Sequence, residues 1–271
     1  MPTDTPVRPL ALVTGASSGL GAAFAERLAR DQYDLVLVAR RRERLEELGQ
    51  RLHAEHGVTI EVLPADLSVA ADVAAVERRI AERPHLARLV NNAGFGGYMP
   101  FIELEPDQAE ALIRVQVVAV MRLTRAALPG MIARGEGAVI NVSSRLAFSG
   151  PLPTPPLPNR ATYVGAKAFI NSFTQLLAGE LLGTGVRVQA LCPGLIATEF
   201  HERVGANTAA FPAAMVMSPE DVVQASLAGL ALGEVICMPP LADASLLAQV
   251  DEAQRKLFGE SRTGSLANRY K

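Results

Sequence analysis

Tyr163 and Lys167 stand four residues apart in Ala161-Thr162-Tyr163-Val164-Gly165-Ala166-Lys167. On a helix that spacing sets a phenol and an ammonium on one face. A free phenol has a pKa of about 10 and is a poor base at neutral pH, whereas a neighbouring cation favours the phenolate. Such a pair can give a proton to a carbonyl oxygen, or take one from an alcohol, while a hydride moves at the adjoining carbon. The same pair alone is an ordinary surface contact, so its meaning depends on what the rest of the chain sets beside it.

A second stretch with chemical content is Thr14-Gly15-Ala16-Ser17-Ser18-Gly19-Leu20-Gly21. It follows the apolar run Leu10–Val13 and precedes Ala22–Leu28, whose apolar residues have helical spacing. A strand, a glycine turn and a helix N-terminus make a site for a phosphate, because free N–H groups and the positive end of the helix dipole point at it. Glycine allows positive φ and a close approach to the ligand. The spacing is G-x-x-x-G-x-G rather than the commoner G-x-G-x-x-G, and a plain strand–helix turn would look the same in isolation.

Three further stretches suit a dinucleotide. The second strand candidate ends in Ala39-Arg40-Arg41-Arg42, with no acid at its tip to accept ribose hydroxyls. Arg40 and Arg41 match a 2′-phosphate instead, which favours NADP over NAD; a solvated arginine run opening a helix is the alternative, and Arg42 reads that way. Asp66-Leu67 follows the third strand candidate, where a side chain can reach the adenine edge or cap the next helix. Asn91-Asn92-Ala93-Gly94 closes the fourth. There a small residue and a glycine let the backbone approach a ribose, and an Asn side chain can tie neighbouring strand ends; a simple turn would also fit.

The elements that must position these groups are legible as alternating patterns. Strand candidates are Leu10–Thr14, Leu35–Ala39, Thr59–Leu63, Arg88–Asn91, Ala138–Val142, Val186–Leu191 and Glu234–Met238. Helical patterns separate them, the longest over Asp107–Arg134 and Ala161–Leu182. Near-continuous apolar strands between amphipathic helices imply an α/β fold with a mainly seven-stranded parallel sheet, doubly wound, with helices on both faces. Ligands of such folds bind at the carboxyl ends of the strands. Pro151–Pro158 holds too many prolines for a helix or central strand and reads as an extended loop.

Composition narrows the function classes. At 271 residues, with 49% hydrophobic and 20% charged residues, the chain suits one domain over residues 1–271. A net charge of −2 gives no electrostatic case for nucleic acid or an anionic membrane. No apolar run is long enough to span a bilayer, and the N-terminus lacks the charged and apolar regions of a signal peptide. Cys192 and Cys237 are too few for a disulfide framework, and His53, His56, His85 and His201 form no ligand cluster. The expectation is a soluble cytoplasmic protein without metal.

Taken together and in this order, the glycine turn, Asn91–Gly94, Ile140-Asn141-Val142-Ser143-Ser144, Tyr163–Lys167 and Cys192-Pro193-Gly194-Leu195-Ile196-Ala197-Thr198 resemble the short-chain dehydrogenase/reductase family. The likeness runs from about Leu10 to Thr198 and continues more weakly beyond. It implies a Rossmann-like fold and an oxidoreductase that interconverts a carbonyl and its alcohol with NADP. By resemblance Ser144 bonds the reacting oxygen, and Lys167 also holds the nicotinamide ribose. Pro193 and Gly194 lie beside the nicotinamide, with Ile196 and Thr198 at its carboxamide. Residues 199–218 would cover the substrate, with Phe200, Phe211, Met215 and Met217 lining an apolar pocket or packing in the core. The resemblance further implies a homodimer or homotetramer, with Met121, Leu128, Phe169, Phe173 and Leu177 in that interface or in the core.

Two departures stand out. Where the family carries an asparagine in its long central helix, this chain has Gln116; the amide is kept, the reach is longer, and a water held for proton relay would be displaced. The interval from Ser144 to Tyr163 is also longer than usual, and residues 151–158 account for the excess, an insertion expected beside the substrate entrance. Two rival readings remain at this stage. One is a dinucleotide-binding regulatory protein with little turnover, supported by Gln116 alone; the other is a C=N or C=C reductase on the same scaffold.

Overall fold

The computed structural model describes residues 8–155, 157, 159–199 and 211–271. They form two compact units, Met1–Pro239 and Pro240–Lys271. The first is built on a parallel sheet in the order β3-β2-β1-β4-β5-β6-β9. Its strands are β1 (Leu10–Thr14), β2 (Asp34–Ala39), β3 (Ile60–Pro64), β4 (Leu86–Asn91), β5 (Gly137–Val142), β6 (Val186–Leu191) and β9 (Ile236–Cys237). Two short strands, β7 (Leu195–Ile196) and β8 (Val216–Met217), pair separately.

Alternation along the strands decides which helix each side chain meets, because successive residues point to opposite faces. Ala11, Val13, Leu35 and Leu37 join one core cluster; Leu10, Leu12, Val36 and Val38 join the other. The first cluster is closed by α1 (Gly19–Arg30), α2 (Arg42–His56) and α7 (Pro219–Leu232), through residues such as Phe24, Leu45, Leu52 and Val222. The second is closed by α3 (Ala70–Ala81), α5 (Ala119–Arg134) and α6 (Ala161–Glu180), through Val76, Leu123, Met131 and Leu177. Both sheet faces are thus buried, which is why the strands read as unbroken apolar runs. Strand order reverses at β1, which has β2 on one side and β4 on the other. The crevice beyond that reversal is where ligands of such sheets lie.

The single helix expected over Asp107–Arg134 is instead divided. A short α4 (Pro106–Ile113) runs into a π-helical turn, Arg114–Val118, before α5 resumes. The wider turn admits one extra residue and re-aims the side chains inside it. Gln116 lies at its centre and is buried. In the second unit, α8 (Ser245–Glu260) buries none of its residues. No helix among the described residues is long and apolar enough to cross a membrane.

Candidate active site

Each expected motif sits at the carboxyl edge of the sheet, around one cleft of about 960 Å³. The glycine turn forms its floor. Gly15 and Gly19 have φ of 68° and 54°, values other residues rarely adopt. A β-carbon on Gly21 would collide with the Gly15 carbonyl, and one on Gly15 would lie 2.7 Å from Asn92 Nδ2 and 2.9 Å from Ala93 Cα. The turn and the end of β4 therefore pack backbone to backbone, leaving the N-terminus of α1 open to a phosphate.

Asn92 fastens that contact. Its Nδ2 donates to Thr14 O at 2.9 Å, while Thr14 Oγ1 accepts from the N–H groups of Asn92 and Ala93 at 2.9 and 3.0 Å. Behind it, Asn91 Nδ2 donates to Asn141 Oδ1 at 2.9 Å and to Thr124 Oγ1 at 3.1 Å, and Asn141 Nδ2 donates to Thr174 Oγ1 at 3.1 Å. This buried amide chain crosses from β4 to β5 to α6. It fixes the sheet edge against the helix that carries Tyr163 and Lys167.

At the end of the cleft that holds Arg40, Arg41 and Asp66 the arginines separate in role. Arg41 Nη2 donates to Ser17 Oγ at 2.8 Å and Ser18 Oγ at 2.7 Å, whereas Arg40 is two-thirds exposed and 3.9 Å from the Asp66 carboxylate. Asp66 does not cap α3, whose N-cap is Val69. Its Oδ1 accepts from Ser68 N and Ser68 Oγ at 2.9 and 2.7 Å, so the carboxylate closes its own turn at the cleft wall. Those bonds and Arg40 lower its pKa against the opposing effect of partial burial.

At the other end, Tyr163 is buried, with its ring edge-on to Tyr98 at 5.1 Å between centroids. The Tyr98 and Ser144 hydroxyls are its hydrogen-bond partners. Ser144 Oγ also accepts from Leu146 N at 3.1 Å, and Ser143 Oγ turns away to donate to Lys167 O at 3.1 Å. Lys167 Nζ lies 5.6 Å from the Tyr163 ring centroid and donates to Val142 O at 2.8 Å. The expected depression of the phenol is not what the protein groups produce. Burial raises Tyr163 and outweighs the lowering by Tyr98 and Ser144, while burial pushes Lys167 down to about 7. Desolvation wins because both groups are enclosed and the ammonium faces a carbonyl rather than the phenol oxygen.

That displaced lysine sets a stability signature. Between about pH 7 and the ordinary lysine value of 10.5, the unfolded chain binds a proton that the folded chain does not. Stability therefore rises with pH through this window, by at most about 1.4 kcal/mol per pH unit. From 9 upward the trend is opposed, because buried Cys192 and Cys237 are raised from 9.0 to about 12. Urea midpoints should climb between about pH 7 and 9 in the native protein. The Lys167→Met profile should be flat there; an equal climb in that variant would assign the effect to another group.

Gln116 reaches the same neighbourhood from the π turn. Its Nε2 donates to Phe95 O at 2.9 Å, and its buried Oε1 has no hydrogen-bond partner among the described residues. A β-carbon on Gly94 would stand 3.1 Å from that oxygen. Tyr98, Leu146, Leu157, Phe211 and Met215 give the cleft a largely apolar and aromatic stretch of wall, and Pro193, Gly194, Ile196 and Thr198 also line it. Met217 packs on the first core cluster instead, and Phe200 lies outside the described residues, as do Pro156 and Pro158. Arg160, buried at the start of α6, donates to Ser149 Oγ, Ser149 O and Leu152 O, each at 2.9 Å, and to Thr154 Oγ1 at 2.7 Å. It ties the proline-rich stretch to the helix of Tyr163.

Sequence reasoning missed Tyr98, Arg44, Glu199 and Arg160. Tyr98 follows Gly96-Gly97 in a loop with no periodicity to mark it, and the other three gain meaning only from contacts distant in sequence.

Comparison with known proteins follows the same outline. The profile described as short chain dehydrogenase matches residues 9–209. A short-chain dehydrogenase from Sphingobium yanoikuyae, solved in complex with NADPH, is 38% identical, with a TM-score of 0.90 over 97% of this chain and 100% of that one. A bulky-bulky ketone specific alcohol dehydrogenase from Comamonas testosteroni is 35% identical, with a TM-score of 0.86 over 97% of this chain and 98% of that one. Among curated proteins, the very-long-chain 3-oxoacyl-CoA reductase of Anas platyrhynchos is 32% identical over 197 residues, 71% of this chain and 61% of that protein. The chain thus spans about six tenths of the length of that relative. A match that runs from β1 past Thr198, together with neighbours superposable almost end to end, leaves one assignment: the chain belongs to the short-chain dehydrogenase family.

Proposed function

We propose that this oxidoreductase reduces the carbonyl of a fairly apolar small molecule with NADPH, and oxidises the alcohol in reverse. The observation that carries the reading is the position of the Tyr163 phenol, in one cleft between a phosphate-binding glycine turn and an apolar wall. The residues fit a dinucleotide on structural grounds, since Gly15, Gly19 and Gly21 let the turn pack tightly against Asn92, Ala93 and Thr198 where they line the cleft. Ser17, Ser18, Gly19 and Leu20 would hold the pyrophosphate, Arg40 and Arg41 the 2′-phosphate, and Asp66 and Leu67 the adenine edge. Asn92, Ala93 and Gly94 would meet the riboses, Lys167 the nicotinamide ribose, and Pro193, Gly194, Ile196 and Thr198 the nicotinamide.

When bound, NADPH supplies the hydride. The protein's part is proton transfer and orientation. Burial keeps Tyr163 protonated at neutral pH, the state required of a general acid toward a carbonyl oxygen. Ser144 orients that oxygen, and the Tyr98 and Ser144 hydroxyls stabilise the phenolate left behind. Residues 211–218 and the Arg160-tethered stretch border the substrate, with Phe211, Met215 and Leu157 at the cleft. The specificity for bulky ketones named for the Comamonas relative supports a roomy apolar site. Pairing of two copies across α5 and α6 is supported by exposed Met121 and by Phe169, stacked on Phe173 at 5.7 Å.

The test is NADPH consumption against a panel of ketones and aldehydes, with imines and activated alkenes alongside. Turnover confined to the imines or alkenes would overturn the carbonyl assignment.

Gln116 is the second point of test. Its unpartnered buried oxygen supports a water held there for proton relay, the amide replacing the family's asparagine in function. Leucine matches its size but can neither donate nor accept. Gln116→Leu should slow turnover with little change in NADPH affinity. Unchanged turnover in the folded variant across pH would leave Gln116 a structural residue.

A further inference from the structure

Thr198 and Glu199, just after β7, lie over the glycine turn and the arginines beside it. A β-carbon on Gly19 would meet Thr198 Cγ2 at 3.0 Å, so this segment lies directly against the turn. The next side chain, Glu199, reaches the arginines. Its carboxylate accepts from Arg44 Nη1 at 2.8 and 3.1 Å and from Arg41 Nη1 at 3.3 Å. Arg44, followed by Arg41, holds this carboxyl below the usual range. Arg41 at the same time donates to the Ser17 and Ser18 hydroxyls.

An anion thus sits in a fork made by two guanidiniums, one of them anchored on the phosphate-binding turn. Guanidinium pairs of this kind suit phosphate at least as well as carboxylate. A phosphate carries more charge and more acceptor oxygens than a carboxylate. Both anions in one fork would repel each other, so one must yield.

We propose that Arg44 joins Arg41 in binding the ribose 2′-phosphate, and that Glu199 competes with that phosphate for both, making Glu199 a specificity-determining residue. The proposal rests on the NADPH reading above. Its consequence is selective: Glu199 lowers affinity for ligands that carry a 2′-phosphate and leaves those without it unaffected.

The test measures dissociation constants of NADPH, NADH, 2′,5′-ADP and 5′-ADP for the full chain by titration. Glu199→Gln keeps the shape and removes the charge on a partly exposed side chain. NADPH and 2′,5′-ADP should tighten by about 2- to 5-fold, the scale of a partly exposed charge pair, with no change for NADH or 5′-ADP. Arg44→Gln should weaken the two 2′-phosphorylated ligands alone. Weakened NADPH binding in Glu199→Gln, an equal change for all four ligands, or no change in any would overturn the competition. Arg41→Ala separates the two levels: if it weakens NADPH and NADH alike, the 2′-phosphate assignment itself fails, whatever Glu199 does.

Discussion

Tyr163→Phe should lose carbonyl reduction by about 10²–10⁴-fold, the usual scale of a general acid's contribution, while still binding NADPH. The ring stays packed against Tyr98, so the change removes the transferable proton and the hydroxyl's bonds to Tyr98 and Ser144 while keeping the packing. Because burial raises this phenol, and its lowering partners Tyr98 and Ser144 do not offset that, the native enzyme holds the proton over the whole neutral range. Reduction should therefore stay active through neutral pH, and alcohol oxidation, which needs the phenolate, should improve as pH rises. Turnover at matched NADPH saturation, with cofactor binding followed by fluorescence, checks both statements. A Phe variant with native turnover would dismiss Tyr163 as the acid.

Arg41→Asp should invert cofactor preference. In the native protein the guanidinium is held by two serine hydroxyls of the glycine turn, so it is presented to a phosphate already oriented. Loss of a charge-assisted contact and gain of a repulsion should weaken NADPH by about 10- to 100-fold. NADH should change little. The same substitution at Arg40 should have a smaller effect, since Arg40 is mostly exposed and leans on Asp66 at 3.9 Å. Dissociation constants for both cofactors in the two variants decide the matter. A larger NADPH loss at Arg40 than at Arg41 would reverse this ranking.

The sheet was legible because its physics is local and repetitive. Strands buried on both faces must be apolar at every position, and the runs Leu10–Thr14 and Val186–Leu191 are found with the expected bounds. The glycine turn was legible because positive φ at Gly15 and Gly19 and the contact at Gly21 admit almost no other residue. The Tyr163/Lys167 pair was legible because four residues return a helix to the same face. Each of these is a constraint that acts within about one turn or one strand.

What only the tertiary structure decided depends on groups far apart in the chain. Gln116 could be counted back from Ser144, but not its π turn or its bond to Phe95 from another loop. The direction of the Tyr163 and Lys167 shifts is set by enclosure, to which Tyr98, Leu146 and the end of β5 all contribute. Charge proximity along the helix predicts a lowered phenol; desolvation, a property of the assembled core, raises it. Asp66 spends its carboxylate on Ser68 rather than on the helix that follows. Likewise, which arginine is held and which stays mostly solvated was settled by side chains from the glycine turn and from the segment at Glu199, 158 residues beyond Arg41. The sequence by itself determined the layered fold, the turn and the pairing of Tyr163 with Lys167, because periodicity and backbone geometry are written residue by residue. The direction of the protonation shifts and the partners of each arginine were decided by the folded structure, because burial and long-range charge exist only once distant segments meet.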